Sequence, residues 1–405
     1  MPTTGVTMTS PHNQWDIFCR VIDNFGDAGV TWRLARQLAD EHGARVRLWI
    51  DQPGILQRLC PSAAVSPEGW TAKGVEVRPW PEAGEDVQPA DVVIEAFACE
   101  LPACYRQAMI LRNRPPIWIN LDYLSAEDWV GGCHGLPSLQ GNGLSKFFFF
   151  PGFAADTGGL LREAGLIERR RAFQADAASR AAFLGGLGVP LDGSRLISLF
   201  AYENAALAGW LDALSTEGRP TRLLVPEGRV LTEVEAWLGS QCVVGGLHQR
   251  GQLSVHVLPF LAQEDYDRLL WCCDLNAVRG EDSFLRAQWA GRPLLWHIYP
   301  QADDAHWDKL EAFLARYVED LPSDAGRALA RFWRSWNRGE DATAAWEEVI
   351  ARWEVFRLHA KRWCERLAGH DDLASALVAF VARQADRVLP ASGSPAPDRL
   401  HPKAN

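Results

Sequence analysis

Apolar residues run almost unbroken over 15–21, a glycine-containing loop follows, and Val30, Leu34 and Leu38 then recur at helical spacing until Gly43. The run predicts a buried strand, and the spacing predicts a helix ended by glycine. Further strands are predicted at 46–50, 92–98 and 117–121, with a helical stretch at 55–60. In the second half, strands at 196–201, 222–225, 254–258, 274–278 and 293–298 alternate with helices at 207–214, 230–238, 265–272 and 283–290. Strands alternating with helices predict parallel sheets covered on both faces, so the fold class is α/β with two doubly wound, Rossmann-like units. An alanine- and arginine-rich helix at 169–182 precedes the boundary, placed near 190. After residue 305 the pattern is helical only, over 307–317, 325–336, 342–367 and 373–387. The expected organisation is an extension at 1–14, a first unit at 15–190 completed by about 368–389, a second unit at 191–367 and a tail at 390–405. Both ends are polar and proline- or serine-containing, and are read as disordered.

A chain of 405 residues exceeds one usual hydrophobic core, in line with two units. Its net charge of −10 argues against a nucleic-acid backbone or an anionic membrane as main partner. The start lacks a signal-peptide pattern and no stretch is long and apolar enough to span a bilayer, so a cytoplasmic protein is expected. The nine cysteines are odd in number and scattered, with Cys272 and Cys273 adjacent, which predicts reduced, mostly buried thiols and no metal site. Eighteen tryptophans are read first as core residues.

In doubly wound folds ligands bind beyond the carboxyl ends of the strands, so the strand-to-helix loops carry the candidate chemistry. The first, 21–29, holds Gly26 and Gly29 without the Gly-x-Gly-x-x-Gly spacing, and flanks them with Asp23 and Asp27. Acidic residues at a helix start repel phosphate, so this loop offers negative charge to a cation, or a base. The alternative is that Asp27 only caps the helix. The second loop, 276–283, has the opposite character. Arg279 and the amides around Asp282 and Ser283 suit a diphosphate, and Glu281 suits a sugar or ribose hydroxyl. Here the alternative is a capped helix with Arg279 paired to Glu281. Phe200 and Tyr202 end one strand, and Phe260 and Gln263 follow another, offering aromatic faces and an amide to a base. Two unlike ligands meeting between two units suit group transfer.

The segments RVIDNFGDAGVTWRLARQL, WINLDYLSAEDWV, CHGLPS, KFFFFPGF, SLFAYEN and VRGEDSFLRAQWAGRPLLWHIYPQADDAH closely resemble the family of protein-arginine rhamnosyltransferases that modify bacterial elongation factor P. The resemblance covers nearly all the chain except its tails. It implies a GT-B glycosyltransferase with a cleft between two Rossmann-like domains, no metal or other cofactor, and dTDP-β-L-rhamnose as donor. It also implies inverting transfer to one arginine of elongation factor P, a modification that supports translation of consecutive prolines. By the same resemblance Asp27 is the general base and Asp23 a second functional carboxylate. Asn24, Phe25 and Gly26 lie beside the rhamnose. Tyr202, Gln263, Arg279, Glu281, Asp282 and Ser283 hold the donor, with Phe260 against the thymine and Glu281 counted among the catalytic groups as well. Tyr266 stands where the family often has Phe. Remaining alternatives are a GT-B enzyme with another nucleotide sugar or acceptor, a non-catalytic binding protein, and a nicotinamide oxidoreductase, the last opposed by the missing glycine fingerprint.

Overall fold

The computed structural model describes residues 13–388 other than 24, 61–65, 67, 68 and 142, so Asn24, most of the expected extension and all of the expected tail at 390–405 lie outside the described residues. The first strand begins at Gln14, one residue inside the expected extension.

The first half runs β1 (Gln14–Cys19), α1 (Phe25–His42), β2 (Arg45–Ile50), α2 (Gly54–Leu59), β3 (Trp70–Ala72), β4 (Val75–Pro79), β5 (Val92–Ala96), α3 (Ala103–Leu111), β6 (Ile117–Leu121), α4 (Trp129–Cys133), β7 (Pro137–Leu139) and β8 (Ser145–Phe149). These strands form one sheet in the order β3-β4-β2-β1-β5-β6-β8-β7. Strands β4-β2-β1-β5-β6-β8 are parallel, with β3 and β7 antiparallel at the edges. Renumbered along the chain, the parallel strands read 3-2-1-4-5-6, the dinucleotide-fold order. Their apolar character follows from burial on both faces: every residue of β5 and β6 is buried.

Helices α5 (Leu166–Ala175) and α6 (Ala177–Gly186) come next, as two helices rather than the single predicted one. Asp176 breaks the run by capping α6, accepting hydrogen bonds from the amides of Ala178 and Ser179. Although assigned above to the first unit, these helices pack on the second: Phe173 meets Trp271, and Leu184 and Val189 share a core with Leu196 and Leu224.

The second half continues with β9 (Arg195–Leu199), α7 (Leu207–Thr216), β10 (Thr221–Pro226), α8 (Leu231–Leu238), β11 (Leu247–Arg250), β12 (Leu253–Leu258), α9 (Gln263–Cys272), β13 (Leu275–Arg279), α10 (Asp282–Trp289) and β14 (Leu294–His297). The sheet order is β11-β12-β10-β9-β13-β14, again reversing beside its first strand. Helices α11 (Ala305–Val318), α12 (Ser323–Arg338), α13 (Thr343–Ile350), α14 (Trp353–Ala368) and α15 (Leu373–Val388) complete the chain. The predicted helix at 342–367 is thus divided, with α13 and α14 separated by residues 351–352.

The last helix returns to the first sheet, where Leu373, Leu377, Phe380 and Val381 are buried and Phe380 packs edge-on against Phe147 and Phe149. Gln37 on α1 bonds to Asp372 at 2.9 Å, and Arg162 bonds to the carbonyl of His370 at 3.0 Å, which fastens the returning chain. Trp32, Trp49, Trp210, Trp289, Trp333, Trp336 and Trp346 are fully buried, as the core reading of the tryptophans predicts. Cys19, Cys99, Cys272, Cys273 and Cys364 are buried free thiols. Burial pushes those of Cys99 and Cys272 up to about 12. Among the described residues no helix is long and apolar enough to cross a membrane.

Candidate functional site

In both sheets the order of winding reverses next to the first strand, and the two loops singled out in the sequence flank those reversal points. One follows β1, between β2 and β5; the other follows β13, between β9 and β14. The halves bring these loops face to face, and the cleft between them is lined by Asp23, Phe25, Gly26, Phe200, Phe260, Gln263, Arg279, Glu281, Asp282 and Ser283 among others.

A buried ion cluster joins the halves behind this space. Arg33 of α1, with its side chain 1% exposed, bonds to Glu163 at 2.7 Å and to Asp282 at 2.8 Å. Arg286 bonds to Asp282 at 2.8 Å and to Asp267 at 2.9 Å. Burial alone would raise the carboxyl of Glu163, but Arg33 holds it below the usual carboxylate range. The Asp282 side chain, expected at the donor, is therefore committed to two arginines, which leaves its backbone to face a ligand. Gln263 reaches across to the carbonyl of Gly29 at 3.3 Å, and its Oε1 is buried without a partner. Gly29 permits this approach, because a Cβ there would stand 3.0 Å from Asp282 and 3.1 Å from Gln263. Replacing Arg33 by alanine strands buried carboxylates and should cost about 3–5 kcal/mol, read as a lower midpoint in denaturant unfolding.

In the second loop, Arg279 ends β13 with only 9% exposure. Its guanidinium lies 4.5 Å from the Phe200 ring centre and 4.7 Å from that of Tyr202. Its Nη1 is buried without a hydrogen-bond partner. An unsatisfied buried cation costs free energy unless an anion reaches it. The predicted alternative pairing with Glu281 is not made. Ser283 spends its hydroxyl locally: it donates to the carbonyl of Arg279 and accepts from that residue's amide at 3.1 Å. Phe260 packs 5.0 Å from Phe25 of the opposite half, with Arg58 4.6 Å above it. Tyr266 sits edge-on to Phe200 at 5.8 Å.

The acidic side draws on both halves. Asp27, 4% exposed, accepts from the amides of Ile22 and Asp23, each at 2.9 Å, so it does fasten the start of α1. That local role coexists with an altered charge balance. Burial, and then the charges of Asp23 and Asp51, raise its carboxyl above the ordinary value despite those two bonds. Glu281 precedes α10 without capping it and is pushed well above the usual range by burial and by Asp27 and Asp122, with Lys309 opposing. Asp23 accepts from the Tyr202 hydroxyl at 3.1 Å and so reaches across to the second half. A Cβ on Gly280 would stand 2.8 Å from that Asp23 oxygen and 3.1 Å from the Tyr202 hydroxyl, and Gly280 has φ +60°. Replacing Gly280 by alanine should cost about 1–2 kcal/mol in backbone strain and displace Asp23, seen as a lowered melting temperature.

The structure thus brings together every described residue singled out at the two loops. Asp122, Tyr123 and Lys309, which sequence reasoning did not select, join them: Asp27, Glu281 and Asp23 all act on the Tyr123 hydroxyl, and the Lys309 ammonium lies 5.4 Å from its ring centre. The position of Asp122 and Tyr123 just after a parallel strand was the available signal; Lys309 had none.

The sequence profile of the family described as Elongation-Factor P (EF-P) rhamnosyltransferase EarP matches residues 15–382. A protein-arginine rhamnosyltransferase of Pseudomonas aeruginosa is 59% identical over 370 residues, covering 91% of this chain and 98% of the relative. One from Neisseria meningitidis is 36% identical over 387 residues, covering 93% and 98%. Among solved structures, one concerning EarP-mediated arginine glycosylation of translation elongation factor EF-P has a TM-score of 0.67 at 44% identity, covering 91% of this chain and 99% of that one. A glycosyltransferase from Rickettsia africae shares the fold at a TM-score of 0.51 and 8% identity, covering 94% and 98%.

Proposed function

The chain belongs to the elongation factor P rhamnosyltransferase family, a family of GT-B glycosyltransferases, and from that premise we propose that it transfers L-rhamnose from dTDP-β-L-rhamnose to one arginine of elongation factor P, with inversion. The product would then serve translation of consecutive prolines. The observation that carries the reading is that the unpartnered Nη1 of Arg279 shares one cleft with the carboxylates of Asp23 and Glu281, with Asp27, bonded to the amide of Asp23, beside them.

The donor diphosphate would take the free Nη1 of Arg279 and the amides at the start of α10. Phe260 and Phe25 offer apolar faces to the thymine and the sugar. Asn24, outside the described residues, and Gly26 belong to the loop proposed to lie beside the rhamnose.

An arginine guanidinium stays protonated to pH ~12 and is a weak nucleophile because its lone pairs are delocalised. It needs alignment and a proton acceptor. Asp27 and Glu281 would bind its N–H groups and place one nitrogen opposite the leaving group. As the new N–C1 bond forms, the C1–O bond breaks with its electron pair going to dTDP, whose growing charge Arg279 stabilises. The nitrogen gives one proton to Asp27, and the product guanidinium keeps its positive charge. A carboxylate whose pKa burial raises suits this step, because it holds a proton more firmly than an ordinary carboxylate.

The test is mass spectrometry of elongation factor P after incubation with the protein and dTDP-rhamnose. One deoxyhexose on a single arginine is expected; an unmodified factor with intact donor, or transfer only from another nucleotide sugar, overturns the reading.

A further inference from the structure

Immediately after β5 the chain is strained: Phe97 (φ 57°), Ala98 (φ 51°) and Glu100 (φ 53°) all adopt the left-handed region that favours glycine. Such residues cost roughly 1–3 kcal/mol each and persist only where surrounding structure imposes them. Here the amide of Phe97 bonds to the carbonyl of Leu121 at 2.7 Å, and that of Glu100 to the Glu95 side chain at 3.0 Å. The strain places the Phe97 ring, 7% exposed, in a stack on Tyr123 at 4.5 Å and 17°. Tyr123 is held in turn by its backbone N–H, which donates to the Asp122 carboxylate at 2.8 Å.

With Phe97 covering one face of Tyr123, the other face carries a cation: the Lys309 ammonium, 5.4 Å from the ring centre. The charges of Asp27, Glu281 and Asp23 all reach the Tyr123 hydroxyl, and Phe97, stacked on this ring, lines a hollow together with Asp122 and Glu281. An aromatic face with carboxylates at its edge suits a planar guanidinium, which stacks and donates in its own plane at once. A lysine ammonium fits the same place less completely, as a point charge on a flexible stem.

Resting on the arginine-acceptor reading above, we propose that the acceptor guanidinium stacks on the face of Tyr123 that Phe97 leaves uncovered, and that Lys309 holds this place in the unliganded protein and yields it on binding. Tyr123 is thus a substrate-contacting residue, and Lys309 a competitor built into the chain. Phe97 and its strained backbone act through Tyr123, as positioning residues.

The test is a coupling cycle read by calorimetry, titrating elongation factor P into the full chain loaded with dTDP. Tyr123→Leu should weaken binding of the unmodified factor about 10-fold, the size of a desolvated cation–π contact. It should leave a factor whose acceptor arginine is replaced by alanine almost unaffected. Tyr123→Phe, which keeps the ring, should stay within about 3-fold of the parent. Lys309→Met should tighten binding of the unmodified factor, and dTDP affinity should not move in any variant. Equal weakening of both factor forms by Tyr123→Leu, no weakening, or weaker binding by Lys309→Met overturns the proposal. These outcomes are read from binding, so they stand apart from the transfer assay, whose failure would sink the rhamnosylation reading itself.

Discussion

Asp27→Asn is expected to lower rhamnosyl transfer by about 10²–10⁴-fold, the usual worth of a positioned proton acceptor, while donor affinity changes by less than about 3-fold. Asparagine retains an oxygen that can accept from the amides of Ile22 and Asp23, so the start of α1 keeps its fastening. What it loses is the lone pair that takes the guanidinium proton. The parent should gain activity as pH rises through the raised titration of Asp27, because only the ionised form is a base, and the variant should lose that dependence. Stability runs the opposite way. A carboxyl raised by burial contributes stability that is present below its unfolded pKa and is lost as pH rises through its folded one. The neutral asparagine is therefore expected to melt no lower than the parent above that window. Rate measurements across pH beside thermal melts check this, and normal turnover by Asp27→Asn would remove Asp27 from the chemistry.

The second large effect concerns the donor. Arg279→Ala should weaken dTDP-rhamnose binding by about 10–100-fold, since a hydrogen bond to a charged group is worth about 1.5–3 kcal/mol. Arg279→Lys, which keeps the charge but not the planar fork, should fall between. The structure also places this guanidinium on Phe200 and Tyr202, so the alanine variant loses packing too. Calorimetry separates the two contributions: lost packing lowers the melting temperature of the ligand-free protein, whereas lost anion binding lowers its rise on adding donor. Unchanged donor affinity in Arg279→Ala would exclude the assigned role.

Most parallel strands were legible in the sequence because burial makes them apolar runs, as in 46–50 and 117–121, but the parallel strands β4 and β8 were missed, being only partly buried along their length. The edge strands β3, β7 and β11 were not: they are short and largely exposed, with one buried residue in Trp70–Ala72 and none in Pro137–Leu139 or Leu247–Arg250. No local period marks such segments, and only their partners define them. The two chemical loops could be found because the carboxyl ends of parallel strands are where ligands bind. The groups that join the halves could not. Arg33 bonds to Glu163 across 130 positions and to Asp282 across 249, and nothing near Asp282 in the chain signals that its carboxylate is already engaged. The same holds for Lys309, which arrives over Tyr123 from a helix beyond the second sheet. The assignment of charge by half was likewise too simple, since Glu281 from the second half stands with Asp27 from the first.

A crystal structure of the protein with dTDP-rhamnose measures most directly whether opposite charges on the two sides of the cleft divide donor from acceptor. The diphosphate should lie on Nη1 of Arg279 and the first amides of α10, leaving Asp27 and Glu281 open to a cation. A diphosphate seated instead against Asp23 and Asp27, with Arg279 untouched, would contradict the account.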